Sequence, residues 1–149
     1  MAELVLRDAF EVAGLGDEVV VDSAGVSAEE VGNRLDRRAA AALRRHGVPD
    51  TGFAAHRARR FQPDWFDEVD LVLAAEESHA DRLRRAAPDA TARDKVRLLR
   101  SFDPVAVADG TLHMDDPWYG GDSAFDETFA EIAGAAPGVV AYVRGKLGR

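Results

Sequence analysis

No cysteine occurs among the 149 residues. Disulfides, thiolate metal sites and any mechanism that uses a cysteine of these residues as nucleophile are therefore excluded. Positive charge is also scarce, with 19 Lys and Arg against 27 Asp and Glu and a formal net charge of -8. A binder of the nucleic-acid backbone needs a basic face, so no nucleic-acid partner is expected, although a cleft can differ in sign from the surface around it. No apolar run approaches the roughly 18 to 20 residues that a membrane span requires. The opening "MAELVLRDAF" sets acids among its apolar positions and lacks the basic start and long apolar core of a signal peptide. A cytoplasmic protein without a membrane partner is the expectation. The G-x-S-x-G elbow and the GxxxxGK[ST] loop are both absent, which removes two common signatures of acyl and phosphoryl chemistry. The four histidines, His46, His56, His79 and His113, show no pair at metal-ligand spacing, and neither a metal nor another cofactor is expected.

What is present reads as one globular domain over 1–149, with 46% hydrophobic and 31% charged residues. From Met1 to about Ala13, the polar residues Glu3, Arg7, Asp8 and Glu11 fall on one helical face. Leu4, Val5, Ala9, Val12 and Ala13 fall largely on the other. Gly14 and Gly16 are stop signals, and nothing before this helix serves as its N-cap. "EVVVDSAG" (18–25) predicts a short buried strand running into a loop. Asp36 and Gly47 are placed to cap an Ala-rich helix between them. A second strand is expected at about Val69 to Ala74, then a helix toward Ala86, then a third strand within Lys95 to Phe102. The stretch from Asp103 to Gly121 is broken by Pro104, Gly110, Pro117, Gly120 and Gly121 and reads as loop. A last helix starts at Asp122 or Ser123 and carries Phe125, Phe129, Ile132 and Ala136 at the helical period. Pro137 is expected to kink or break it. Helices alternating with short apolar strands predict an α/β domain with a parallel sheet.

Few residues stand out for chemistry. Asp116, in "MDDPWYGGD", is a carboxyl on a breaker-rich loop beside Trp118 and Tyr119, where apolar rings would suit a general acid. Asp-Pro also starts turns, and two aromatics also close a core edge, so both readings stand on the residues alone. Ser23, in "DSAG", follows the first expected strand, where open α/β sheets bind ligands; it could equally cap a turn. His46 ends the Ala-rich helix, where the dipole favours a cation, and reads as structural. His56, in "AAHRARRF", belongs to a basic stretch that is either a solvated face or a patch beside a substrate.

Taken together and in order, six segments resemble the low-molecular-weight protein-tyrosine phosphatase family. "MAELVLRDAF" resembles the start of that family's first helix, and "VVVDSAG" its second strand and Ser-Ala-Gly turn. "VGNRLDRRAAAALRRHGV" resembles the segment with Gly, Asp-x-Arg-Ala and His-Gly. "HRARRF" and "DLVLAAEESH" resemble the His-x-Ala-Arg stretch and the third strand with its acidic turn. "DDPWYGGDSAF" resembles the loop that carries the general acid, the most specific of the six. The resemblance implies a doubly wound parallel sheet, with three of the family's four strands present. It implies a substrate that is a phosphotyrosine-containing protein or a small aryl phosphate. Asp116 would protonate the leaving oxygen and later activate water, and Trp118 and Tyr119 would wall the cleft. Ser23 and His56 would brace a phosphate-binding loop. Glu76 stands where members usually have Asp in the same bracing group. Val26 replaces a usual Thr, and Asp115 replaces an apolar residue or Pro. The resemblance leaves the oligomeric state open.

In that family the phosphate loop is Cys-x5-Arg-Ser, followed by Pro and then Met-Ala-Glu. Here Met1-Ala2-Glu3 opens the chain. The resemblance therefore implies an N-terminal truncation, with the nucleophilic Cys, the Arg that grips phosphate and the first strand all upstream of Met1. The sheet order 2-1-3-4 would then leave a gap of roughly 10 Å, two strand spacings, between strands 2 and 3. Either those strands pair directly or two interior edges stay unpaired. The chain as given is expected to be inactive. It is either a working phosphatase short of its N-terminus or a catalytically dead regulatory or binding module. An arsenate reductase is disfavoured, because that chemistry usually resolves its intermediate with further thiols.

Overall fold

The computed structural model describes all 149 residues, and its first element, α1, spans Ala2–Val12. Met1 holds the N-cap position without a side-chain hydrogen bond, as a chain opening on a helix predicts. Leu4, Val5, Leu6 and Phe10 are buried at the centre of the main core. The helix ends where Gly14 takes a left-handed φ of 72°. That turn lets the Leu15 N–H reach the Phe10 carbonyl at 2.8 Å and carries Leu15 into the core.

The strand expected at 18–25 does not form. Residues 20–24 make no backbone–backbone hydrogen bond, and only an isolated parallel bridge joins Gly25 to Arg60. An apolar run becomes a strand only against a partner strand. What reaches this segment is a side chain of α1, the Arg7 guanidinium donating to the Val21 carbonyl at 3.1 Å. Direct pairing with the next strand, one of the two outcomes anticipated for the sheet, does not occur.

Helix α2 spans Arg37–Arg45, as its caps predict. Asp36 accepts from the Arg38 and Ala39 amides at 2.7 and 3.4 Å, and Gly47 is left-handed at φ 79°. After a 3-10 turn at Pro63–Asp67 comes a βαβ unit. Strand β1 (Val72–Ala74) pairs in parallel with β2 (Val96–Leu98), in the register Val72 to Val96 and Ala74 to Leu98. The crossover contains α3 (Glu77–Ala86) and a short α4 (Ala90–Asp94) capped by Asp89, the latter unanticipated from sequence. Phe66, Ala74, Ala80, Leu83, Ala92 and Val96 form a second apolar cluster inside this unit.

The third expected strand is real but short. After β2 the chain tightens into a 3-10 turn at Leu99–Phe102. The stretch read as loop from Asp103 contains a helix, α5, at Pro104–Asp109. Asp103 caps it through the Val105 amide at 2.9 Å, Pro104 is its first residue, and Gly110 closes it at φ 70°.

Helix α6 runs from Asp122 to Lys146, straight through Pro137. Proline leaves the Ala133 carbonyl without its usual helical donor, so sequence predicts a break there. Packing overrides it: α6 lies against α1 and the Leu99–Phe102 turn, and Gly138 brings the backbones so close that a Cβ there would sit 2.0 Å from the Phe102 carbonyl oxygen. The result is an α/β arrangement around a small parallel sheet, with two of the three expected strands formed.

Candidate active site

The loop carrying Asp116 is fixed at its entry to the end of β1. The Met114 N–H donates to the Ala75 carbonyl at 3.0 Å, and Met114 itself is buried. Asp116 then caps a 3-10 turn at Pro117–Tyr119, its Oδ1 accepting from the Trp118 amide at 2.9 Å. Its other oxygen accepts no hydrogen bond from the protein. The carboxyl is exposed, and the rings beside it do not enclose it: Trp118 is 50% exposed and Tyr119 91%. The turn expected from Asp-Pro is therefore present, whereas the rings neither enclose the carboxyl nor close a core edge, and one carboxylate oxygen is left free.

A residue given no role from sequence, although it is the arginine of the Asp-x-Arg-Ala motif, holds this loop from the other side. Arg38, in the first turn of α2, donates through Nη1 to the Trp118 and Gly120 carbonyls at 3.3 and 3.4 Å. Its guanidinium carbon lies 5.3 Å from the Trp118 ring centroid and 4.7 Å from that of Phe125. Asp36 grips the same guanidinium through Nε and Nη2, both at 3.3 Å. Partial burial works against ionisation of Asp36, but the Arg38 side chain and the Arg38 and Ala39 amides outweigh it and hold the carboxyl below the usual aspartate range.

A second constellation forms around Glu3, which the helical period put on the polar face of α1. Glu3 is instead 8% exposed. It accepts from the Ser23 hydroxyl at 2.5 Å and from Arg7 at 2.7 Å, and His56 Nδ1 lies 3.3 Å from its Oε2. Ser23 and His56, candidates separately from sequence, are thus brought together by a carboxylate that the helical period assigns to the polar face. Glu76 does not join them. It engages Ser78 and His79 at the start of α3, one residue after the Ala75 carbonyl that anchors the acid loop. No hydrogen bond or ion pair links Asp116 to the Glu3 group.

A cavity of about 600 Å³ lies apart from these residues, between 26–28, 60–63 and α3. No three His, Asp or Glu side chains converge as a metal-holding group, and no helix is long and apolar enough to cross a membrane.

Comparison with known proteins gives a consistent result. The family model for "Low molecular weight phosphotyrosine protein phosphatase" matches residues 1–147. A low molecular weight protein-tyrosine-phosphatase of Streptomyces coelicolor is 45% identical over 144 residues, covering 97% of this chain and 85% of its own. Low molecular weight protein-tyrosine phosphatase A of Mycobacterium tuberculosis is 40% identical over 149 residues, covering 100% of this chain and 86% of its own. Among solved structures, a protein tyrosine phosphatase from Entamoeba histolytica with Hepes in its active site superposes with a TM-score of 0.86. That match covers 99% of this chain and 88% of the other, and at 20% identity it speaks for the fold alone.

Proposed function

The chain belongs to the low molecular weight phosphotyrosine protein phosphatase family, and from that membership we propose that its residues serve hydrolysis of aryl phosphate monoesters, phosphotyrosine in a protein above all. Asp116 is the proton donor and acceptor of this reading. The observation that carries it is the Asp116 loop itself: a carboxylate oxygen free of protein partners, on a loop anchored to the end of a parallel strand, with two exposed aromatic rings beside it. Trp118 and Tyr119 are apt to stack on a phenyl ring. Ser23 and His56, gathered by Glu3, brace the phosphate side, and Glu76 steadies the turn where the acid loop begins.

The chemistry this implies has two steps. A thiolate attacks phosphorus, the bond to the aryl oxygen breaks, and Asp116 gives that oxygen its proton. Water then attacks phosphorus, the S–P bond breaks, and Asp116 takes the proton back. These 149 residues contain no cysteine, so alone they are expected not to turn over.

The test uses phenyl phosphate. The 149 residues alone should release no phosphate. The same residues joined at Met1 to a strand and a Cys-x5-Arg-Ser loop of the family's pattern should hydrolyse it without metal, and Asp116→Asn should slow that by about 10²- to 10⁴-fold. A joined protein indifferent to Asp116→Asn would overturn the assignment of the acid.

A second reading, a binding module without turnover, is favoured by one observation. The backbone of residues 20–24 meets no strand, only the Arg7 side chain at the Val21 carbonyl and the Asp22 side chain at the Ser23 amide, and is the kind of edge that accepts a strand from a partner. It requires the joined protein to stay inactive.

A further inference from the structure

We infer that Arg38 is a positioning residue for the acid loop, clamping the backbone of Trp118 and Gly120 and occupying one face of the Trp118 ring. The inference rests on the reading of Asp116 as the proton donor and deepens it. From Asp116 to Gly120, the only hydrogen bonds that arrive from outside the loop are the two from Arg38, and the Gly121 carbonyl beyond them accepts from the Ala124 amide of α6. The others are local: the Trp118 amide to Asp116, and the Gly120 amide to Pro117. A loop rich in exposed residues and short of outside partners samples several positions unless something holds it.

Arginine suits this task in a way lysine does not. The planar fork divides its donors, with Nε and Nη2 on Asp36 and Nη1 on the two loop carbonyls. The cation also lies over the rings of both Trp118, in the loop, and Phe125, in the first turn of α6. Asp36 is fixed in turn by its cap on α2, so the clamp is anchored in a helix rather than in another loop. One consequence is stereochemical. With the cation on one face of the indole, a substrate ring has only the opposite face to stack on, so Arg38 sets both the place of the acid and the side from which an aryl group approaches. A donor displaced by about 1 Å can lose up to roughly a hundredfold in rate.

The first experiment uses the 149-residue chain with Arg38→Met and Arg38→Lys, each in a Trp65→Phe background so that Trp118 is the single indole. Arg38→Met should increase acrylamide quenching of Trp118 and abolish amide protection at Gly120, while the urea midpoint and the amides of α1 hold. Arg38→Lys should restore little, since one ammonium cannot serve Asp36, two carbonyls and two rings. Quenching unchanged in Arg38→Met, or loosening spread evenly over α1 and α6, would overturn the inference. The joined protein then separates it from the acid assignment. Arg38→Met should slow phenyl phosphate by about tenfold or more, and p-nitrophenyl phosphate, whose leaving group needs no proton, much less. An effect of Asp116→Asn without one of Arg38→Met sinks the clamp alone. If Asp116→Asn has no effect, the acid reading falls while the result on the loop stands.

Discussion

The Ser23 hydroxyl donates to Glu3 Oε2 at 2.5 Å, joining the first turn of α1 to a residue twenty positions later. Arg7 and His56 complete the surroundings of that carboxylate, so three side chains gather on one buried carboxylate. Glu3→Gln keeps the shape but weakens the partners of Arg7 and His56. It is expected to lower stability by about 2 kcal/mol, and Ser23→Ala by about 1 kcal/mol. Combined, the two should fall short of additive, because they remove parts of the same network. Urea unfolding of the two single variants and the double variant measures all three quantities; strict additivity would show that Ser23 and Glu3 are not coupled.

Asp36 gives a prediction with a pH signature. Its carboxyl caps α2 and holds Arg38, and the folded protein keeps its pKa below the ordinary value. A carboxyl of this kind stabilises the fold fully above its unfolded pKa of about 4 and loses that contribution as pH falls through the folded value. Asp36→Ala should therefore cost about 1 kcal/mol at neutral pH. The gap between wild type and variant should close progressively below the aspartate range. A gap that persisted unchanged at low pH would mean that the ionised carboxylate is not what caps the helix.

The parts of the fold that were legible in the sequence are those set by local chemistry. Asp36 and Gly47 marked α2 because a cap and a left-handed glycine are properties of single residues. By the same chemistry α5 was legible too: Asp103, Pro104 and Gly110 are its cap, first residue and terminator, yet in a run of breakers they read as loop. The strand expected at 18–25 is absent because a run of valines expresses a preference that only a neighbouring strand can satisfy. Glu3 was misplaced because the period of a helix tells which face a residue occupies, and Arg7, Ser23 and His56 decide whether that face is wet. Asp116 could be found from its loop, whereas Arg38 stood out only as the arginine of the Asp-x-Arg-Ala motif, with nothing in the sequence to tie it to that loop. It is one of several arginines on α2, and its partners lie about eighty residues away.

The close approach of α6 to the Leu99–Phe102 turn sets a third expectation. A methyl group at position 138 would sit 2.0 Å from the Phe102 carbonyl oxygen, a backbone atom that cannot swing aside. Gly138→Ala raises helix propensity, which alone would stabilise α6 by up to about 1 kcal/mol. Overpacking should win, with a net loss of about 1 to 3 kcal/mol. Thermal or urea unfolding decides between the two signs, and a stabilised variant would show that the turn yields more easily than the backbone contact implies.

Val20 tests what the unpaired segment does. It is 96% exposed, in a stretch whose backbone donors and acceptors meet no strand. An apolar residue on such an edge favours pairing between chains, and a lysine there opposes it by charge and by keeping water at the backbone. Val20→Lys should leave the free energy of unfolding in urea within about 0.5 kcal/mol of wild type, since an exposed side chain contributes little to the fold. It should, however, delay the onset of light scattering on heating at high protein concentration. An unchanged onset would place the association elsewhere, and would also weaken the reading of this segment as a strand-accepting edge, because one exposed backbone would serve both.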